Sequence, residues 1–243
     1  MIKDTHNQGD PPGRPYGPRL RDPWMIKQPG VRGFHRPSMF YRLSPKLVLR
    51  GRWRPYRPRP GERVLVLATA SVFPPSHTAT RLCLDLLPET LAAGPCPRLL
   101  DVGCGSGALL LAGVAAGAQS GVGVDISWRA AATTRNNARA NGLDASVQVI
   151  RGSTEALRGA FAVMLGNLPW EVQMDKVAEF TRLAAPDTRL ILSGFKDTQE
   201  EELRARYESA GWVLEHRRTR DEWVIELPPE KSYTWVAWRL KRH

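Results

Sequence analysis

The sequence predicts an α/β fold: a doubly wound, mostly parallel sheet that finishes in an antiparallel C-terminal hairpin. Three observations predict it. From residue 63 onward, short apolar runs of strand length alternate with segments of helical period. One such run, Arg98-Leu-Leu-Asp-Val102, passes into a loop with glycine at every second position, Gly103-Cys-Gly-Ser-Gly107, and then into an apolar helix. After Gly211 the helical period stops, and the chain ends in aromatic and β-branched runs.

The elements follow in order. Arg63–Leu67 reads as the first strand of the alternation. Thr78 to Ala92 follows as a helix with Leu82, Leu86 and Leu87 on one face, and Pro88 is a candidate bend or end within it. Arg98–Val102 is the central strand, and residues 107–117 form its helix, closed near Gly117. Ser120–Val124 is the next strand. Ser127 caps a helix that runs to about Asn141, where Gly142 suits the C-terminal turn. Strands at Ser146–Ile150 and Phe161–Gly166 precede a helix over Val172–Ala184 and a strand at Arg189–Ser193. Asp197 opens a helix with an acidic first turn, as the helix dipole favours, and Gly211 ends it. Trp212–Thr219, Glu222–Leu227 and Tyr233–Leu240 supply the β ending.

Charge divides the chain into a basic Pro/Arg-rich extension over residues 1–45 and a domain over residues 46–243. The formal net charge is +11, and residues 1–60 carry all of it, with 14 Lys and Arg against 3 Asp and Glu. The same stretch holds 11 of the 20 prolines. Few aliphatic residues and no sustained period read as an extended or partly disordered segment. Its charge suits an anionic partner such as ribosomal RNA, met through residues 1–60, or makes it a solubilising tail. Trp24, Phe34, Tyr41, Trp53 and Tyr56 are interleaved with the arginines, placed either to stack on bases or to pin the segment to the domain. No apolar stretch reaches the roughly 20 residues of a membrane span, and Met1–Gln8 lacks a signal-peptide core. Cys83, Cys96 and Cys104 have no C-x-x-C spacing, so a cytoplasmic protein without a metal site is expected.

The glycine loop and two acids define the candidate site. Glycines let backbone approach a ligand, and the following helix start offers free N–H groups. Asp125, at the end of Gly121-Val-Gly-Val-Asp-Ile126, stands where an acid grips the ribose hydroxyls of an adenosine cofactor. The dinucleotide fingerprint is G-x-G-x-x-G, whereas here Asp101 precedes Gly103-x-Gly105-x-Gly107. A pyrophosphate does not suit a carboxylate at that place; the ammonium of S-adenosylmethionine does. The order of acid and glycines therefore favours S-adenosylmethionine over NAD. Further on, Gly166-Asn-Leu-Pro-Trp170 ends a strand. The Asn167 carboxamide oxygen and the Leu168 carbonyl are candidate acceptors for the protons of a nucleophilic amine. Pro169 stiffens the turn, and Trp170 offers a face to a planar base or a lysine cation. No residue identifies itself as a dedicated base; His77 and Glu171 are candidates by position only.

Two resemblances rest on these residues. The D-x-G-x-G-x-G run resembles the first motif of the class I S-adenosylmethionine-dependent methyltransferases, which are Rossmann-like. The Asn167–Trp170 turn resembles the N-P-P-Y/W motif of enzymes that methylate nitrogen. Further segments resemble PrmA, the ribosomal large-subunit protein lysine methyltransferase family: Lys46 to Glu62, the helix His77-Thr-Ala-Thr-Arg-Leu-Cys-Leu84, Leu192-Ser-Gly-Phe195 and Asp221-Glu-Trp-Val224. The resemblance covers about residues 44–240. It implies that His77 and Thr80 border the cofactor's amino-acid end, with Asp101, Gly103, Gly105 and Gly107 on its polar groups. It places Asp125 at the ribose, Gly152 and Ser153 near adenine, and Asn167 toward the methyl acceptor, with Ile126 and Asn167 also among the cofactor-binding residues. Three departures stand out. The family's glycine-rich lead is Phe73-Pro-Pro-Ser-His77 here, its A-N-I-L turn is Gly166-Asn-Leu-Pro-Trp170, and its N-terminal recognition domain is replaced by the basic extension.

The resemblance implies an S-adenosylmethionine-dependent N-methyltransferase acting on a protein amine, a lysine or N-terminal amine of a ribosomal protein. Two other readings stay open on the residues alone: an RNA base-nitrogen methyltransferase, and an RNA- or ribosome-binding module without turnover.

Overall fold

The computed structural model describes residues 40–69, 77–221 and 234–242. Of the expectations above, residues 1–39 of the extension, the Phe73–Ser76 lead and the Glu222–Leu227 run lie outside the described residues.

The chain opens with β1 (Phe40–Ser44), β2 (Leu47–Gly51) and β3 (Arg63–Leu67), then α1 (Thr78–Ala92). The central alternation is β4 (Leu99–Val102), α2 (Ala108–Ala115), β5 (Gly121–Asp125), α3 (Trp128–Ala140), β6 (Val147–Arg151) and β7 (Phe161–Asn167). It closes with α4 (Trp170–Leu183), β8 (Ala184–Lys196), α5 (Glu200–Ser209), β9 (Trp212–Asp221) and β10 (Thr234–Arg242). Seven strands form one sheet in the order β6-β5-β4-β7-β8-β10-β9. The first five run parallel, and β10 is antiparallel to both β8 and β9, which gives the predicted C-terminal pair.

Alternation along the strands sends side chains to two cores. Leu99, Val163, Leu165 and Ile191 join α1 and α2 on one face, while Leu100, Met164, Leu190 and Leu192 join α4 and α5 on the other. The period of two places Ile191 and its neighbours Leu190 and Leu192 in different cores. Pro88 stands inside α1 without ending it, and the helix runs on to Ala92. Ser127 caps α3, its Oγ accepting the Ala130 N–H, and Gly142 follows that helix with φ +63°.

Two features differ from the sequence-based expectation. Arg63–Leu67 forms a strand, but in a separate sheet, β1-β2-β3, in which it runs parallel to β2. Strand β1 also lies inside the stretch that composition assigns to the extension. Both follow from α2, whose sequence Ala-Leu-Leu-Leu-Ala-Gly-Val is buried all round. A helix with no polar face needs cover on both sides. The main sheet covers one side, and β2, β3 and α1 pack on the other.

Helix α3 fastens the small sheet to the site. Asn141 Oδ1 accepts the Val66 N–H at 2.8 Å while its Nδ2 donates to the Val66 carbonyl at 2.9 Å. Asn137 repeats this at Ala68, at 3.0 and 2.8 Å. The two amides, one helical turn apart, serve the free edge of β3 as a neighbouring strand would. Asn137 Nδ2 also donates to the Ser106 carbonyl at 2.8 Å, tying β3 to the glycine loop.

Candidate active site

Strand order reverses beside β4: the chain moves outward through β5 and β6, then returns to β7 on the other side. Ligands of doubly wound sheets bind outside the carboxyl ends of the strands at such a switch point. A cleft of about 770 Å³ lies there.

The glycine loop forms its floor. Gly103 and Gly105 both have positive φ and line the cleft. The loop is held from behind: the Gly103 N–H donates to the Val124 carbonyl at 2.8 Å, and Thr134 Oγ1 to the Gly105 carbonyl at 2.9 Å. Asp101 is 2% exposed, and its Oδ2 accepts the Leu110 N–H at 3.1 Å. Burial pushes its carboxyl up to about 8, with nearby Asp125 adding to the rise and the Leu110 N–H opposing it. Asp125 closes β5. Its Oδ2 accepts the Gly105 N–H at 3.0 Å, and its Oδ1 accepts the Ser127 N–H at 2.9 Å. The carboxylate is thus fixed at the cleft wall while its oxygens keep further lone pairs.

Ile126 sits at the cleft with 77% of its surface exposed, an apolar face beside an acid. Gly152 and Ser153 follow β6 on the same side. Lys176, from α4, lines the cleft there too, donating to Ser153 Oγ at 2.9 Å and Glu155 Oε1 at 2.5 Å. Hydrogen bonds to Glu155 itself, from Lys176 first and from the Ser153 side chain second, hold its carboxyl down at about 2. The opposite wall is Asn167 and Thr80, joined by an Nδ2 to Oγ1 hydrogen bond of 3.1 Å. With its NH₂ group so engaged, Asn167 has its carboxamide oxygen left for a ligand.

Thr80, Asp101, Gly103, Gly105, Asp125, Ile126, Gly152, Ser153, Asn167, Leu168 and Pro169 all border the one cleft. His77, Gly107 and Trp170 do not. His77 caps α1, its Nδ1 accepting the Ala79 N–H at 3.3 Å, and its ring stands edge-on to Trp235 at 5.1 Å. Gly107, at φ +78°, starts α2 so close to α3 that a Cβ there would meet Thr134 Cγ2 at 2.8 Å; its role is the turn and the packing.

The Leu168 carbonyl departs from its expected part. It accepts from the buried Gln173 Nε2 at 2.6 Å and is walled in by Gly194, where an added Cβ would lie 2.2 Å from it. It therefore faces β8, not a ligand. The Trp170 ring is half-buried against the α4 side of the core with its Nε1 buried, and it does not line the cleft. Sequence reading passed over Ser106, Val172 and Lys176 as cleft residues. Lys176 is two turns into α4, and its orientation depends on where that helix starts, which the sequence left two residues late.

Among the described residues, no helix is long and apolar enough to cross a membrane, and no group of three or more His, Cys, Asp or Glu is placed to hold a metal.

Comparison with known proteins places this geometry in context. Residues 39–227 match the family model described as ribosomal protein L11 methyltransferase (PrmA). The chain is 36% identical to the ribosomal protein L11 methyltransferase of Geobacter metallireducens over 187 residues, 76% of this chain and 61% of that protein. It is also 36% identical to that of Syntrophotalea carbinolica over 184 residues, 75% of this chain and 60% of that protein. The chain thus spans about three-fifths of the length of the curated relatives it matches. Among solved structures, the ribosomal protein L11 methylase of Lactobacillus delbrueckii subsp. bulgaricus superposes with TM-score 0.70 at 20% identity, over 85% of this chain and 100% of that one. An N-methyltransferase from Bradyrhizobium japonicum, in complex with S-adenosyl-L-homocysteine, shares the fold at TM-score 0.54 and 13% identity, over 68% of this chain and 88% of that one. The match over more than three-quarters of its residues shows that the chain belongs to the PrmA family of ribosomal protein methyltransferases.

Proposed function

We propose that the chain is an S-adenosylmethionine-dependent N-methyltransferase whose acceptor is an amine of a ribosomal protein, a lysine or an N-terminal amine. The observation that carries this reading is a single cleft lined by two acids, Asp101 and Asp125, and an anchored carboxamide, Asn167.

The residues fit the cofactor. Asp101 suits its ammonium, the Asp125 carboxylate its ribose hydroxyls, and the exposed Ile126 and the Gly152–Ser153 turn its adenine. When bound, S-adenosylmethionine supplies a methyl carbon on a sulfonium, and the C–S bonding pair stays with sulfur as the N–C bond forms. The chain's part is placement, which in well-oriented systems is worth about 7 kcal/mol or more. The Asn167 oxygen accepts an N–H of the neutral amine and so turns its lone pair toward the reacting carbon. A lysine acceptor sheds a proton to water first, since its ordinary pKa is about 10.4. The names of the relatives support a ribosomal acceptor, and the Trp170 ring, half-buried and outside the cleft lining, weighs against an RNA base stacked on it there.

The basic extension, residues 1–45, together with the rest of residues 1–60, is proposed to meet RNA near that substrate. The three cysteines are free and buried, in keeping with a cytoplasmic location.

The test is methyl transfer from radiolabelled S-adenosylmethionine to purified ribosomal proteins, with products divided by protease and ribonuclease. Label lost to protease supports the proposal. Label lost only to ribonuclease replaces it with the RNA reading.

A further inference from the structure

We infer that the loop between β2 and β3, residues 52–61, docks single-stranded RNA, with Trp53 as the platform for a base and Arg52, Arg57 and Arg59 as phosphate contacts. The inference localises, and rests on, the reading that residues 1–60 meet RNA.

Three of the five aromatics interleaved with arginine fall among the described residues, and they divide cleanly. Tyr41 is pinned to the domain, its hydroxyl donating to Asp85 Oδ1 at 2.5 Å. Tyr56 is pinned as well: its hydroxyl donates to Glu62 Oε2 at 2.6 Å, and its ring packs on Phe40 at 4.7 Å. Trp53 is 87% exposed, the most exposed large apolar side chain among the described residues. The Arg52 guanidinium stands 5.4 Å from its ring centroid.

The loop is held from within. Arg50 Nη1 donates to the carbonyls of Gly51, Arg52 and Arg54 at 3.2, 3.1 and 2.9 Å. At the other end Glu62 gathers the Arg59 N–H, the Tyr56 hydroxyl and Arg42, which hold its carboxyl down at about 2. Pro55, Pro58 and Pro60 fix φ between these anchors. Arg50 and Arg42 are thus engaged in holding the loop. Arg52, Arg57 and Arg59 are exposed and form no ion pair among the described residues. A stiff loop that displays cations around a bare indole loses little entropy on binding.

Charge alone suits RNA, an acidic peptide or an anionic membrane. The exposed ring with a cation beside it selects RNA, because a base offers a flat partner to both. It selects a single strand, because the faces of paired bases are already stacked.

The experiment is fluorescence anisotropy of the full chain with a labelled single-stranded RNA of about 12 nucleotides, between about 50 and 200 mM salt. Calorimetry of S-adenosylmethionine binding checks that each variant is folded, since no loop residue lines the cleft. Trp53→Ala is expected to weaken RNA binding about tenfold with the salt slope unchanged. It should leave binding to heparin, which has charge but no bases, as it was. Neutralising Arg52, Arg57 and Arg59 together as glutamines should lower the salt slope by about 2. Unchanged RNA affinity in Trp53→Ala, or an equal loss on heparin, overturns the platform. If both variants bind as the parent does and only removal of residues 1–39 abolishes binding, the loop is the wrong place and the wider RNA reading stands. If the full chain binds no RNA, both fall.

Discussion

Asn167, at the end of β7, donates its Nδ2 to Thr80 Oγ1, in the first turn of α1, over 3.1 Å. The bond crosses from one wall element to another and orients the carboxamide. Asn167→Ala should therefore keep S-adenosylmethionine affinity within about twofold yet lower the transfer rate by about 100-fold or more. Thr80→Val keeps the shape and removes the acceptor, so a smaller loss of about tenfold in kcat is expected. Calorimetry and single-turnover kinetics separate the two effects. Normal turnover by Asn167→Ala removes it from the acceptor side.

Asp125 anchors two backbone N–H groups, of Gly105 and Ser127, and faces the cleft. Hydrogen bonds to a charged group contribute about 1.5–3 kcal/mol each. Asp125→Ala should weaken cofactor binding by about 100-fold or more and loosen the glycine loop. Asp125→Asn retains one acceptor oxygen and should fall between. Calorimetry across the series checks this, and equal affinities would take Asp125 out of the ribose role.

Asp101 carries the pH dependence. Burial raises its carboxyl to about 8, above an ordinary value of about 3.9. The folded protein therefore holds a proton that the unfolded chain has lost. The sign follows: this group's contribution to stability is complete below about pH 4 and is lost as pH rises through about 8. An ammonium beside the carboxylate favours its charged form, so cofactor binding near neutral pH should release close to one proton. Calorimetry in two buffers of different ionisation enthalpy measures that proton. Asp101→Asn should release none and should flatten the stability profile between about pH 4 and 8, by about the same proton count.

Much of this site was legible because its signals are local. The glycine loop, Asp125, the Ser127 cap and the Asn167 turn each declare themselves within a few residues. The parts that were not legible depend on partners far along the chain. Nothing in Arg63–Leu67 says that it pairs with β2 in a second sheet; only the all-apolar α2, which needs cover on both sides, hinted at it. The Leu168 carbonyl looks available in sequence, and it is Gln173 and Gly194 that turn it inward. Trp170 beside an Asn-Leu-Pro turn looks like a platform until α4 packs it, half-buried, against the core and away from the cleft.

Asn137 of α3 and Asn141 at its C-cap serve the open edge of β3, and Asn137 is 3% exposed. Asn137→Ala would leave the Ala68 N–H and carbonyl and the Ser106 carbonyl without their partner. Unmet buried groups cost about 1–3 kcal/mol each before relaxation or water offsets them. A net loss of about 3 kcal/mol is expected in chemical denaturation. The coupling to Ser106 adds a second readout, a weaker cofactor affinity in a protein still folded. Asn141→Ala, which touches no loop residue, should lose stability with affinity intact.

Gly194 sets the position of the Leu168–Pro169 turn that follows Asn167. It lies at φ +102°, and an added Cβ would stand 2.2 Å from the Leu168 oxygen and 2.9 Å from its carbonyl carbon. Both contacts are backbone, so no rotamer change relieves them, and the Leu168–Pro169 turn has to move. Gly194→Ala should then destabilise by about 3 kcal/mol through strain and overlap together. It should also lower methyl transfer far more than cofactor affinity, because Asn167 precedes the displaced turn while Asp101 and Asp125 sit on other strands. Gln173→Leu distinguishes displacement from mere loosening. It removes the donor to the Leu168 and Ser193 carbonyls without adding bulk, and it also removes a carboxamide oxygen that is buried without a partner. Its stability loss should be the smaller of the two, about 1–2 kcal/mol, with transfer reduced only several-fold. If Gly194→Ala and Gln173→Leu lower transfer equally, the inward carbonyl matters through its hydrogen bond and not through its position against β8.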